Sequence, residues 1–185
     1  MKLNATPALN ARRRNSTAMT LLEMLIAVTI SVVVFAIIGS ITIFTARSFV
    51  ALSNYASLDS ASRRALDTLS RDVRASRSVL SPFTSQSLKL MANDSNTVTY
   101  TYTPSTRRLT RTSNDGIKVL LDQCDFLNFH IYQRNPSNNW QWYPVQSNLL
   151  STAKLVDVSW KCSRKILGQS VNTESVQTAK IVIRN

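Results

Sequence analysis

The sequence predicts an α+β protein in which one long N-terminal helix packs on an antiparallel β-sheet. Three observations favour this fold class: an apolar segment near the N-terminus, an amphipathic segment that follows it, and alternating apolar residues beyond Pro82. A period of three to four residues is typical of a helix, and a period of two is typical of strands with one covered face. A hydrophobic content of 44% agrees with a folded chain.

Residues 1–18 have the composition of a targeting segment. They contain Lys2 and the cluster Arg12–Arg14, no acidic residue and no hydrophobic periodicity. Such a segment is kept apart from the fold, and we predict that it is a basic leader. A secretory signal peptide would instead have a shorter apolar core that is followed by a cleavage site of small residues.

Residues 19–45 are predicted to form a membrane-spanning helix. The apolar run Leu21–Phe44 is long enough to cross a hydrocarbon core of about 30 Å at about 1.5 Å per residue. Basic residues mark the cytoplasmic end of a membrane helix. The cluster Arg12–Arg14 therefore predicts a single pass with an exported C-terminal part.

Glu23 is the only charged residue between Arg14 and Arg47. An ionisable group in a membrane helix is a functional hypothesis by default. The alternative is a carboxylate that simply reaches headgroup water. The functional interpretation needs a cation, and the apolar run contains no Lys or Arg. A free α-amino group would serve if the chain were cut just before the helix, where the helix dipole also favours a carboxylate. On a neighbouring copy, that amine would make Glu23 a docking group between parallel helices.

Residues 46–80 are predicted to extend the same helix in amphipathic form. No proline interrupts the pattern before Pro82, so the predicted helix runs from Met19 to about Ser78. Apolar residues recur at spacings of mostly three and four, which indicates one buried face. They are Leu52, Tyr55, Leu58, Ala65, Leu66, Leu69, Val73 and Val79.

Residues 81–185 are predicted to form an exported β-rich domain. Alternating apolar residues and turn residues such as Asn114-Asp115-Gly116 mark the strands. The amphipathic helix is the natural cover for one face of the resulting antiparallel sheet. The predicted strands are Ser87–Met91, Thr97–Thr103, Arg107–Thr112, Phe126–Tyr132, Lys154–Cys162 and Thr178–Arg184.

The segment Thr17–Ala27, Thr-Ala-Met-Thr-Leu-Leu-Glu-Met-Leu-Ile-Ala, resembles the processing and assembly motif of type IV pilins and type II secretion pseudopilins. The resemblance implies a pilin-like fold, a location in the bacterial inner membrane and a periplasmic C-terminal domain. It also implies that prepilin peptidase cuts between Ala18 and Met19 and methylates the new N-terminus at Met19. Glu23 would then act in assembly. The partners would be inner-membrane lipid and other pilin or pseudopilin subunits, which bind through the N-terminal helix.

Departures from the usual pattern favour a minor subunit of a pilus or pseudopilus. Ala18 stands where Gly is usual, Met19 replaces the usual Phe, and the membrane segment lacks the helix-breaking Pro of major pilins. No acidic cluster near the C-terminus resembles the calcium loop of the major pseudopilin. A further likeness to the W-type minor pilin or J-type minor pseudopilin group is carried by Thr99–Pro104, Arg107–Arg111, Leu120-Leu121 and Phe126–Phe129.

Cys124 and Cys162 are the only two cysteines. An even count in an exported, oxidising compartment predicts a disulfide, and the alternative is a pair of small buried residues. Their strands alternate in opposite parity, because Phe129 faces inward at an odd position and Val158 at an even one. Simple pairing of these faces would put the two cysteines on opposite sides of the sheet unless a bulge intervenes.

The sequence predicts no enzyme, no cofactor and no metal site. His130 is the only histidine, and it alternates with apolar residues, so we expect it to face solvent. A lone His without suitably spaced ligands does not make a zinc site. There is no G-x-S-x-G motif and no phosphate-binding glycine pattern, since the chain has three glycines.

The net charge of +12 invites a nucleic-acid interpretation. Its distribution argues otherwise, because four of the charges lie in residues 1–18 and the rest are scattered. We predict no specific nucleic-acid site.

Two other functions stay open at this stage. One is an uncleaved single-pass membrane protein whose exported β-domain binds a ligand or a cell-wall polymer, and the other is a membrane-anchored hydrolase.

Overall fold

The computed structural model of the chain describes residues 19–92, 96–134, 142–144, 150–166 and 172–184. The predicted leader, with Ala18, lies outside these residues. The chain forms two compact units, Met1–Thr45 and Ala46–Asn185. The predicted α+β architecture is confirmed: one long N-terminal helix precedes a set of antiparallel strands, and part of it packs on them.

The helix α1 (Leu21–Ala75) begins with the apolar segment. Residues 21–49 of this helix, which include that segment, are all exposed. By length and composition it is able to cross a membrane, which is compatible with a single-pass membrane protein. Hydroxyl groups in this segment bond back to the helix. Ser31 Oγ donates to the Ala27 carbonyl over 2.7 Å, and Thr42 Oγ1 donates to the Ile38 carbonyl over 2.8 Å. These bonds satisfy hydroxyls that would otherwise lie unpaired in lipid.

Within the second unit, α1 buries one face against the strands. The predicted stripe is wrong at its start, because the side chains of Leu52 and Tyr55 are 68% and 54% exposed. The cover begins one turn later, where the strands reach the helix. The buried face consists of Leu58, Ser62, Ala65, Leu69 and Val73, with Leu66 partly buried beside it.

The helix ends at Ala75, before the predicted end near Ser78. The residues that follow form strand β1 (Ser76–Thr84), which the sequence did not predict. β1 pairs antiparallel with β2 from the Ser76–Ala92 pair onward. This pairing with a neighbouring strand competes with the helical pattern, and Ser76 Oγ donates to the Val73 carbonyl over 2.7 Å at the junction.

The first sheet has five antiparallel strands in the order β1-β2-β3-β4-β5. Val98, Tyr100 and Tyr102 are buried along β3, as the alternation predicts. β5 was not predicted, because it is exposed along most of its length and its residues do not alternate. After β1, the strands are β2 (Ser87–Ala92), β3 (Thr97–Thr103), β4 (Arg108–Ser113) and β5 (Gly116–Leu121).

A second sheet has four antiparallel strands in the order β7-β6-β8-β9. The chain passes from the first sheet to the second through Asp122 and Gln123, and Gln123 adopts a φ of 58°. The single sheet expected from the sequence is thus divided in two at this turn. The strands are β6 (Cys124–Arg134), β7 (Trp142–Pro144), β8 (Ala153–Lys165) and β9 (Asn172–Val182), and a short 3-10 helix spans Leu150–Thr152.

One hydrophobic core of the second unit joins α1 to both sheets. Its largest fully buried side chains include Trp160, Tyr100 and Phe129. Burying a large apolar side chain contributes about 1.5–3 kcal/mol, so these residues dominate the stability of the unit. The indole of Trp160 also donates a hydrogen bond of 3.3 Å to Ser62 Oγ on the helix, which satisfies its only donor.

A mostly buried charged cluster joins the helix to the first sheet. Arg111 Nε and the Tyr100 hydroxyl each donate a hydrogen bond of 2.6 Å to the same carboxylate oxygen of Asp72. The side chains of Arg111 and Asp72 are only 19% and 15% exposed. Burial and the bond to Asp72 raise the pKa of Tyr100, so its hydroxyl stays protonated as a donor. The hydrogen bond to Asp72 likewise raises the pKa of Arg111.

Candidate functional site

Glu23 lies in the first turn of α1 and caps the helix with Thr20. Glu23 Oε2 accepts hydrogen bonds from the backbone N–H of Thr20 at 2.9 Å and from its hydroxyl at 3.1 Å. In return, Thr20 Oγ1 accepts the N–H of Glu23 at 3.3 Å. This reciprocal arrangement is the capping box, in which a Thr and a Glu three residues later satisfy free N–H groups at a helix start.

The capping box adds an interpretation of Glu23 that the sequence analysis missed. The signal was available, since Thr20-Leu21-Leu22-Glu23 matches the capping-box spacing directly before an apolar run. The arrangement is independent of the predicted cleavage, because the Thr20 amide remains when the bond before Met19 is cut. Glu23 remains exposed, so its carboxylate can also accept bonds from another group.

The two cysteines lie directly opposite each other on neighbouring strands, and both are buried. The predicted inward faces are confirmed, because Leu127 pairs with Trp160 and Phe129 pairs with Val158. A register shift between Cys124 and Phe126 then moves Cys124 opposite Cys162. Without this bulge, the continuing register would place Cys124 opposite Ser163. The sequence predicted that the two cysteines would lie on opposite sides of the sheet unless a bulge intervened, and this bulge places them on the same side.

Arg107 holds the bulge in place. Its carbonyl accepts the N–H of Cys124 over 2.8 Å, and its guanidinium donates to the carboxylate of Asp125, the extra residue of the bulge. The same guanidinium donates to the carbonyls of Gln123 at 3.2 Å and Ser163 at 3.3 Å. One side chain therefore fastens both strands around the cysteines.

The two thiols are free in this structure, and the Cys124 thiol donates a hydrogen bond of 3.1 Å to the Phe126 carbonyl. The neighbouring Cys124 thiol and burial raise the pKa of Cys162, so its thiol keeps its proton. Cα atoms of directly opposite antiparallel residues are about 4.5–5.5 Å apart, within the usual disulfide range. The strand pairing is therefore compatible with the predicted disulfide, which stays a prediction.

His130 lies on the exposed side of β6, as expected. Its Nε2 is 3.0 Å from Asn128 Nδ2, and its ring centroid is 6.4 Å from that of Tyr132. Across the part of the chain that the structure describes, no group of three His, Cys, Asp or Glu side chains is placed to hold a metal ion.

A polar surface cavity of about 560 Å³ lies beside the cysteine pair, and the sequence analysis did not find it. We call it the basic pocket. It is lined by three cationic residues, Arg107, Arg164 and Lys165, by the acidic residue Asp125, and by Asn54, Gln123 and Ser163. No local spacing in the sequence indicates this pocket, since its residues come from four separate segments of the chain.

No protein-family model, curated protein or solved structure matches this chain. The functional argument therefore depends on the residues and the geometry described above. An apolar helix of membrane length that continues into the cover of an antiparallel β unit is consistent with a pilin-like architecture.

Proposed function

We propose that this chain is a minor subunit of a type IV pilus or a type II secretion pseudopilus. Prepilin peptidase cuts it between Ala18 and Met19 and methylates Met19, and the apolar helix then enters a filament or its tip complex. The periplasmic unit lies outside the inner membrane. The role is structural, with no reaction and no cofactor.

One observation carries this proposal: the single carboxylate of the apolar, membrane-length segment 21–45 lies in the first turn of the helix, at Glu23. The capping box with Thr20 does not by itself indicate an assembly role, since the same arrangement occurs at helix starts in soluble proteins. Here the helix continues as an exposed apolar surface, which needs lipid or other apolar helices around it. A carboxylate at the start of such a helix is placed to meet the α-amine of Met19 on a neighbouring subunit.

The capping role and the docking role of Glu23 can be separated with one conservative substitution. Glutamine replaces glutamate in a capping box and still accepts hydrogen bonds, but it carries no charge. Glu23→Gln should therefore keep the helix start and lose the attraction to an amine. Thr20→Ala is the matched variant, since it removes the capping hydroxyl and leaves the carboxylate in place.

The experiment expresses wild type, Glu23→Gln and Thr20→Ala in a host that makes the filament, and it compares mature protein in the membrane with protein in sheared filaments or the cross-linked tip complex. We expect Glu23→Gln to be cut after Ala18, to reach the membrane at the wild-type level and to be missing from the filament fraction. Thr20→Ala should assemble. Ala18→Leu should stay uncut and should also fail to assemble, because its Met19 nitrogen remains in a peptide bond.

Two results would contradict the proposal. Recovery of Glu23→Gln in the filament fraction at the wild-type level would show that the carboxylate only caps the helix and does not dock a neighbouring subunit. A mature protein of normal size from Ala18→Leu would place the cleavage elsewhere.

The second candidate is an uncleaved single-pass membrane protein whose exported unit binds a ligand. The basic pocket favours it, because a charged cavity is not needed for a purely structural subunit. Mass spectrometry of the N-terminus separates the two. A methylated Met19 at the N-terminus supports the pilin subunit, and an intact leader supports the uncleaved membrane protein.

A further inference from the structure

The basic pocket carries more positive charge than its own residues neutralise. Of its three cationic side chains, only Arg107 forms an ion pair with a carboxylate among the described residues, and that partner is Asp125. Arg164 donates instead to two neutral groups, Gln123 Oε1 at 2.7 Å and Ser57 Oγ at 3.1 Å. These bonds hold the guanidinium in position and leave its charge unbalanced.

Lys165 adds a second unbalanced charge next to Arg164. Its side chain is exposed and forms no ion pair with any residue in the described ranges. Its backbone is fixed by the helix, since Asn54 Nδ2 donates to the Lys165 carbonyl over 3.4 Å. Two residues whose charge has no carboxylate partner among the described residues, Arg164 and Lys165, therefore line one cavity at the end of β8.

The backbone around the basic pocket is strained. Arg107 and Gln123 adopt φ angles of 54° and 58°, and they are the non-glycine residues with positive φ in the described part of the chain. Both line the pocket. Such conformations cost free energy, and they concentrate at sites that position groups for a ligand.

The lining also indicates which kind of ligand fits. The pocket has no aromatic and no large apolar side chain, so neither ring stacking nor apolar burial can contribute much. Recognition must come from charge and hydrogen bonding. Guanidinium groups bind carboxylates with two parallel N–H···O bonds, and an ammonium adds a mobile point charge. A cavity of about 560 Å³ has room for a short stretch of side chains.

We infer that the basic pocket is a docking site for an acidic peptide segment of a partner protein, whose Asp or Glu carboxylates bind Arg164 and Lys165. Arg107 and Asp125 form the fixed wall of the site, and Gln123 orients Arg164. This inference does not depend on cleavage at Met19 or on the role of Glu23, so it can fail while the proposed function stands, and the reverse also holds.

The test uses the full chain in a non-ionic detergent and two short peptides with a charge-neutral dye. The peptides are Gly-Glu-Glu-Gly and its uncharged match Gly-Gln-Gln-Gly, both labelled at the N-terminus and amidated at the C-terminus, and binding is measured by fluorescence anisotropy. The pocket variant is Arg164→Gln/Lys165→Gln. Its matched control is Lys118→Gln/Lys180→Gln, which removes the same charge from exposed positions outside the pocket. Lys165→Gln alone is the second variant, since that side chain is exposed and its loss leaves the fold intact.

We expect the glutamate peptide to bind at least about tenfold more tightly than the glutamine peptide, because charge-assisted bonds are much stronger than neutral ones. The pocket variant should lose at least about tenfold in affinity and the control less than about twofold. Raising the salt from about 0.1 M to about 1 M shortens the Debye length from about 10 Å to about 3 Å and should weaken binding further.

Three results would overturn the inference. Equal losses in the pocket variant and the control would show general attraction to a basic protein. Binding that does not change with salt would exclude recognition by charge. Competition by inorganic phosphate at the concentration at which the glutamate peptide competes would show a site for a small anion rather than for a peptide.

Discussion

The Asp72 cluster gives the most direct measure of how α1 is fixed to the first sheet. Asp72→Ala removes the shared acceptor of Arg111 and Tyr100. Each hydrogen bond to a charged group contributes about 1.5–3 kcal/mol, and breaking one partner of a buried ion pair costs about 3–5 kcal/mol. These estimates describe the same contacts and do not add.

The exposure of the two charged side chains sets the magnitude. Because Asp72 and Arg111 are 15% and 19% exposed, water reaches the stranded guanidinium only in part. We therefore expect Asp72→Ala to lower the free energy of unfolding by about 3 kcal/mol, toward the low end of the buried-pair range. That is a large share of the roughly 5–15 kcal/mol that holds a typical domain together.

The chain supplies a matched control in Arg108, whose ion pair with Asp122 has about the same length. That pair measures 2.8 Å, but its side chains are 52% and 53% exposed. Solvent screens such a pair, so Arg108→Met should cost about 1 kcal/mol or less. The comparison sets a mostly buried carboxylate that binds both Arg111 and Tyr100 against an exposed ion pair.

The measurement is urea unfolding of the full chain in a mild detergent, followed by tryptophan fluorescence, because Trp160 is only 1% exposed in the folded unit. A double-mutant cycle with Asp72→Ala and Arg111→Met should show a coupling of about 1–3 kcal/mol, as expected for residues in direct contact. Equal losses for Asp72→Ala and Arg108→Met, or no coupling in the cycle, would refute the reasoning.

Two further predictions concern the thiols and the buried phenol. If the second unit is exported, as proposed, protein isolated without reductant should carry a Cys124–Cys162 disulfide, seen by mass spectrometry as the loss of two hydrogens, and its reduction should cost about 3–4 kcal/mol for a loop of this length. Two alkylatable thiols in that sample would contradict it. For Tyr100, whose folded-state pKa is raised, the unfolded chain loses the phenol proton first, from about pH 10 upward. Its contribution to stability is therefore complete below pH 10 and falls as pH rises, by at most about 1.4 kcal/mol per pH unit. Tyr100→Phe should flatten that alkaline decline, and an unchanged slope would show that Tyr100 does not titrate in this way.

The periodicity of the sequence predicted which residues of the helix and of the strands face the core. The period of α1 identified the buried face at Leu58 and Leu69, and alternation identified Tyr100 and Phe129 as inward-facing. The capping box at Thr20 and Glu23 has a spacing of three residues and could have been found in the same way.

Contacts between distant segments could not be predicted. Asp72 and Arg111 both look like solvated charges in the sequence, and only the packing of α1 against β4 makes them a buried pair. Strand β1 could not be recognised, because the helical spacing of apolar residues continues past Ser76 and only the pairing with β2 makes this segment a strand. The basic pocket needs Arg107 and Arg164 to meet through a bulge, and no spacing along the chain encodes that meeting.

The bulge at Asp125 ties the chemistry of the cysteines to a residue count. An insertion of one residue between Cys124 and Leu127, with the one-residue bulge kept, would leave both cysteines in the sequence and the strands paired, yet it would move Cys124 opposite Ser163 and to the other face of β6. Deletion of the bulge residue Asp125 would instead make the register regular and keep Cys124 opposite Cys162. Diverging copies of this gene can therefore lose the bulge residue and keep the two sulfurs together, but they cannot add one residue here without separating them. A one-residue insertion here, rather than the loss of a cysteine codon, would be the first sign that the pairing had been abandoned.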